Sequence, residues 1–240
     1  MRNAKPVLVT VIVSLTFMAP RSHVPAAAAQ EATPAMTYAC VVGGSTPVAM
    51  THEMPMAGTP AAGMDHMAME FDQMYIDMMI PHHQSIIALA QAALPRLTDE
   101  RLQEIANAVI ETQGAEITQL QEYREAWYGD PTPMPMDEAM MAAMGQMMPG
   151  MGDMEAMAAQ MDAEALVAAF CAVENPDLGF IDLTIPHHAM AIAASEAALE
   201  QAAHPEIQEV AQQVIDAQQR EIEELTAIRQ SLAESATPSA

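Results

Sequence analysis

After residue 29 this chain has no lysine, and its only basic side chains are Arg96, Arg101, Arg124, Arg220 and Arg229. Against them stand all 32 Asp and Glu residues, and the whole chain carries a formal net charge of -24 at pH 7. A surface of that sign repels phosphate backbones and anionic lipid, which argues against nucleic-acid binding, and it favours cations. Cysteine is nearly absent too. Cys40 and Cys171 are the only two, and neither stands in a Cys-x-x-Cys pair, so a finger-type zinc site is excluded. In an oxidising compartment they would pair; as free thiols they would add soft ligands. No Glu-x-x-His occurs anywhere, so the signature of a di-iron carboxylate centre is missing. No run beyond the first 29 residues approaches the ~20 apolar residues that span a bilayer.

Those first residues have the layout of an export signal. Arg2 and Lys5 precede an apolar run from Val7 to Ala19, and Ala26 to Ala29 offer small residues for cleavage. The expected product is exported, periplasmic or extracellular, with no stable membrane insertion after cleavage.

What is abundant is methionine, 24 of 240 residues, together with one phrase that occurs twice. Residues 76–83 read Ile-Asp-Met-Met-Ile-Pro-His-His and residues 181–188 read Ile-Asp-Leu-Thr-Ile-Pro-His-His. At this offset of 105, 21 of the 50 residues from Tyr75 to Arg124 equal their counterparts, so a helical unit is duplicated. Ile76, Ile80, His83, Ile87, Ala90 and Leu94 form one helical stripe, and Leu102, Ile105, Val109, Leu120 and Trp127 form the next. Thr98 is placed to cap the second helix, and Gly129-Asp130-Pro131 ends it. The second copy opens on Asn175-Pro176, carries Ile181, Ile185, His188, Ile192 and Leu199, and breaks at His204-Pro205. Pro81 and Pro186 should kink or restart the first helix of each pair.

The expected fold is all-α: a ferritin-like four-helix bundle built from two duplicated antiparallel helix pairs, with a Met-rich linker between them. The expected layout is a signal peptide at 1–29, an irregular Met/His-containing segment at 30–69 and helix-pair repeat 1 at 70–130. A Met-rich linker with partial helix follows at 131–174, then helix-pair repeat 2 at 175–233 and a disordered tail at 234–240.

Helix geometry sorts the candidate ligands. Neighbours lie about 100° apart on a turn of 3.6 residues, so His82 and His83 point in different directions, as do His187 and His188. The stripe sets His83 and His188 inward, where they are expected to approach one another, and leaves His82 and His187 on the flank. Met78 and Met79 lie one turn before the first pair, and Met190 lies three residues after His187. Leu183 and Thr184 replace the two methionines in the second copy. Paired imidazoles beside thioethers suit soft ions, so the expected cargo is Cu(I) or Cu(II), with Ag(I) as a further soft ion. Glu111 and Asp216 are expected at the height of the histidines, with Gln113, Glu116, Gln218 and Glu221 a turn further on. A carboxylate there would orient an imidazole through its second nitrogen. Asp77 and Asp182 are further candidates for that outer role, or else meet the first helical turn. From Met134 to Met161, 11 of 28 residues are Met, and His52, Met54, Met56, Met64, His66 and Met67 interleave both ligand types before the first repeat. These six residues before the first repeat are expected to be accessory ligands. The Met-rich segments would, where mobile, collect ions for the repeated site, and the linker is expected to be partly helical from about Met151 to Val173. His23 and His204 are not read as ligands.

The phrase from Phe71-Asp72 through Met79-Ile80-Pro81-His82-His83, then Gln113-x-x-Glu116-Ile117 and Trp127-Tyr128-Gly129, resembles a bacterial family known as domain of unknown function 305. The likeness covers both repeats. It implies a ferritin-like helical fold and, since the family includes a periplasmic copper-binding protein, Cu(I) or Ag(I) binding through Met79, His82, His83, His187 and His188. Thr184 stands where the pattern has Met. The leading expectation is a non-enzymatic exported copper-binding protein, with copper ions and another copper-trafficking protein as candidate partners. The alternatives are a helical interaction module or methionine oxidant sink, and a ferritin-like metal oxidase.

Overall fold

The computed structural model describes residues 38–40, 70–147 and 154–235. The leader, the accessory His52, Met54, Met56, Met64, His66 and Met67, and the last five residues lie outside them. Among the described residues the chain forms seven helices and no strand. They are α1 (Phe71–Ala93), α2 (Glu100–Tyr128), α3 (Glu138–Met147), α4 (Met154–Met161), α5 (Ala163–Cys171), α6 (Pro176–Gln201) and α7 (Pro205–Ser235).

Each repeat supplies a long helical hairpin, α1 with α2 and α6 with α7, and α1 packs on α6. Their ends are fixed locally. Asp99, not Thr98, caps α2 by accepting the Arg101 backbone N–H, while Thr98 donates its own N–H and hydroxyl to Asp177 at the start of α6. Asn175 caps α6 by accepting the Leu178 N–H, with Pro176 in the first turn. Gly129 closes α2 at φ 80°, a left-handed position that costs glycine little. The expected restarts at Pro81 and Pro186 do not occur: α1 and α6 run through both. Each proline removes one helical donor, and packing on the surrounding helices holds the backbone in place. Helix α7 continues to Ser235, beyond the expected boundary at 233.

Helix α1 buries 18 of its 23 residues, far more than one stripe. The reason is that α2, α4, α5 and α6 all pack against it. Helix α7, on the outside, buries only 8 of 31. The Met-rich linker is likewise not a mobile arm where it is described. Its Met-x-x-x-Met and Met-Met spacings sit on α3 and α4, which bury Met140, Met141, Met144 and Met157. At the turn after α1, Arg96 donates to the carbonyls of Phe170, Cys171 and Val173, satisfying acceptors left open by the end of α5. Beside it Cys40 and Cys171 form a disulfide.

Two apolar clusters result. One gathers the first half of α1 and the second half of α6 with α3, α4 and the start of α7; the other gathers the second half of α1 and the first half of α6 with α5 and the end of α7. Each is thus built from opposite halves of the two copies. Between them lies a layer of buried polar side chains.

Candidate metal centre

His82, His83, His187 and His188 are all fully buried in that layer. The expectation that the stripe histidines would meet is overturned. The flanking pair does so instead: the rings of His82 and His187 stack with centroids 3.7 Å apart at 35°. The cause is that α1 presents its flank to α6 and its stripe to α2. His83 accordingly faces its own hairpin partner, its Nε2 2.8 Å from Oε2 of Glu116. The second copy repeats this, with His188 Nε2 2.6 Å from Oε2 of Glu221. Neither contact is aligned as a hydrogen bond.

Of the eight ring nitrogens, seven have no side-chain hydrogen-bond partner; the eighth is Nε2 of His187, 2.8 Å from Ser85 Oγ. A buried polar group left unpaired costs about 1–3 kcal/mol. So many open donors and acceptors in one layer give water or an ion polar groups to bond there. Burial first, and then the neighbouring imidazoles, holds the pKa of His82 and His187 well below the usual 6.5. Both rings are neutral at pH 7, with a lone pair available to an ion.

The remaining candidates separate clearly. Glu116 and Glu221 reach the histidines, whereas Glu111 and Asp216 are exposed and do not. Asp77 and Asp182 also turn away from the imidazoles, since each pairs with an arginine: Asp77 with Arg124 at 2.5 Å, Asp182 with Arg229 at 2.8 Å. Gln113 and Gln218 are buried in the layer with open amide atoms. Met78, Met79 and Met190 are buried in the cluster on one side, and Thr184 is buried with an unpartnered hydroxyl. Among the described residues no three His, Cys, Asp or Glu side chains converge as one ligand set. The imidazoles that meet across the repeats form one stacked pair, not the four-donor set of a tetrahedral zinc.

A groove of about 550 Å³ runs between α2 and α7, lined by Ala108, Thr112, Ala217 and Glu221 among others. Glu221 is 15 % exposed and touches the fully buried His188, so its carboxylate links groove to layer. Two contacts were not legible from the sequence. One is Ser85, which carried no ligand signal. The other is His204 at the α6–α7 turn, whose Nδ1 meets Asp72 at 2.5 Å while its ring stacks on Trp127 at 3.8 Å. Asp72 also accepts the backbone N–H groups of Ala203 and His204, and its place in the Phe-Asp phrase was the available hint.

The family model for domain of unknown function (DUF305) matches residues 72–229, which takes in every histidine of the layer. The chain belongs to the DUF305 family. Solved relatives share its helical fold. CopM in its Cu(I)-bound form is 26% identical, with a TM-score of 0.52 over 67% of this chain and 96% of that one. CopM co-crystallised in an Ag-bound form gives 26% identity, TM-score 0.52 and the same coverage. A DUF305 fragment from Deinococcus radiodurans, 23% identical with TM-score 0.52, covers 67% of this chain and 95% of its own and shows the fold alone. No curated protein matches the chain. Among the described residues no helix is long and apolar enough to cross a membrane.

Proposed function

We propose that this DUF305 protein is an exported, non-enzymatic binding protein for the soft ions Cu(I) and Ag(I), acting in copper sequestration, trafficking or tolerance. The observation that carries it is the buried quartet His82, His83, His187 and His188, in which five of eight ring nitrogens meet no polar side chain and two more meet only a carboxylate, without hydrogen-bond alignment. His82 and His187 would hold the ion, with Met79 and Met190 as soft neighbours and Glu116 and Glu221 orienting His83 and His188. The long helices α1, α2, α6 and α7 would form the ferritin-like bundle around it. CopM has been solved with Cu(I), Cu(II) and Ag bound, which supports the same cargo here. The oxidant-sink alternative is disfavoured because Met74, Met78, Met79, Met140, Met144 and Met157 are almost wholly shielded from solvent.

The test is an anaerobic Cu(I) titration of the full chain against a competing chromophoric chelator, repeated with all four histidines replaced by Gln. Tight binding that the variant loses is expected. Tight binding that survives in a variant of unchanged helicity would remove the ion from this layer.

A further inference from the structure

The duplicated centre departs from symmetry at one buried hydroxyl. Ser85 lies on α1 with its Oγ 2.8 Å from Nε2 of His187, 2.6 Å from the carbonyl oxygen of Gln160 near the end of α4, and 2.7 Å from the carbonyl of His82. A serine hydroxyl has one proton to give. Both carbonyls can only accept, and oxygen atoms approach to 2.6–2.7 Å when a proton lies between them. With the hydroxyl proton directed to the carbonyls, the contact with His187 runs the other way, from Nε2–H to Oγ, and the Gln160 backbone is a second partner of the same imidazole. Nδ1 of His187, buried and without a protein partner, then carries the lone pair.

We propose that Ser85 is a positioning residue that fixes His187 as its Nε2–H tautomer, turning Nδ1 towards the bound ion and tying the centre to α4 through Gln160. This rests on the copper reading for the identity of the ion, and on the geometry alone for the tautomer. The position 105 residues after Ser85 is Met190. The other member of the stacked pair, His82, has no side-chain partner at either ring nitrogen and meets only the His187 backbone. The two imidazoles are inequivalent: a hydroxyl selects one nitrogen of His187, whereas no side chain holds either nitrogen of His82 and a thioether stands at the related position. The pair thus combines one pre-set donor with one that no side chain pre-sets.

The decisive experiment is long-range proton–nitrogen NMR on the metal-free, 15N-labelled full chain at neutral pH, with His187 assigned through His187→Gln. His187 should be protonated at Nε2 and bare at Nδ1. Ser85→Ala should lose that preference and Ser85→Thr, which keeps the hydroxyl, should retain it. Protonation at Nδ1 in the unaltered chain, or an unchanged tautomer in Ser85→Ala, overturns the assignment. Cu(I) affinity, measured separately, should fall about 10- to 100-fold in Ser85→Ala and recover in Ser85→Thr; equal affinity in all three would overturn the link to the ion. The expected tautomer in a chain that binds no Cu(I) would support the Ser85 contact and sink the copper reading instead.

Discussion

The two sides of the histidine layer come from the same duplicated sequence, yet they are filled differently. All eight buried methionines among the described residues, Met74, Met78, Met79, Met140, Met141, Met144, Met157 and Met190, lie in one cluster. The other is filled by Leu, Ile, Phe, Val and Ala, with no buried Met. Methionine used only to plug gaps would be expected on both sides, since it suits any irregular core. Under the proposed function that side is the soft-donor face of the layer, and half of its methionines are brought there by the unduplicated helices α3 and α4. Matched positions diverge in the same sense. Tyr75 and Ser195 share a buried hydrogen bond of 2.9 Å on the Met side, while their counterparts Phe180 and Ala90 are both apolar. Asp77 and Arg124 pair in the interior, while the repeated pair Asp182 and Arg229 lies at the surface, each about half exposed.

That last contrast gives the largest expected effect. Burial pushes the Asp77 carboxyl above the usual carboxylate range despite the Arg124 guanidinium beside it. Asp77→Ala leaves Arg124 uncompensated and should cost about 3–5 kcal/mol. Asp182→Ala should cost under about 1 kcal/mol, because an exposed pair is screened by solvent. Urea unfolding of the two variants makes the comparison, and similar losses would show that the sides are equivalent after all.

Acid should come next. The folded-state pKa of His82 and His187 is depressed below the unfolded value near 6.5, so under acid the unfolded chain takes up protons that the folded chain refuses. Stability present above that value is lost as pH falls, by up to about 1.4 kcal/mol per pH unit for each histidine. The metal-free chain should therefore lose stability more steeply between pH 6.5 and 5 than its His82→Gln/His187→Gln variant, as read from urea midpoints.

A smaller effect tests the soft face directly. Met79→Leu and Met190→Leu conserve volume and should change stability by less than about 1.5 kcal/mol. Under the proposed function each should nonetheless weaken Cu(I) binding about tenfold, or 1.4 kcal/mol, whereas Leu89→Met across the layer should strengthen nothing. Chelator competition reads all three. Smallest of all is Tyr75→Phe, which makes the Met side match the other at that position; it should cost about 0.5–1.5 kcal/mol for the hydrogen bond, while Phe180→Leu tests only packing.

Much of this was open to reading along the chain, and the failures have a common cause. Identity at the offset of 105 exposed the duplication, and stripe periodicity located the four long helices. Asn175-Pro176 and Gly129 announced helix ends by local chemistry alone. What a helical wheel cannot supply is which face meets which neighbour. It ranked His83 above His82 as the interior residue, but α1 is enclosed on nearly every side, so both are interior and the flank is the one that meets α6. Height along a hairpin is similarly blind to the turn. The five-residue difference between Glu111 and Glu116 is about 7.5 Å of helix, set by how the chain turns after Leu94. In the linker the partial helix expected from about Met151 to Val173 is met by α4 and α5, while α3 was missed because Ala and Gly between its methionines give little polar contrast.

The stack of His204 on Trp127 has a practical consequence. Trp127 is the one tryptophan in the chain, and it sits at the joint where the α6–α7 turn is held to the start of α1 by Asp72. Its emission is consequently an internal gauge of whether the second hairpin is seated on the first, readable without any added dye while the chain is loaded, acidified or unfolded.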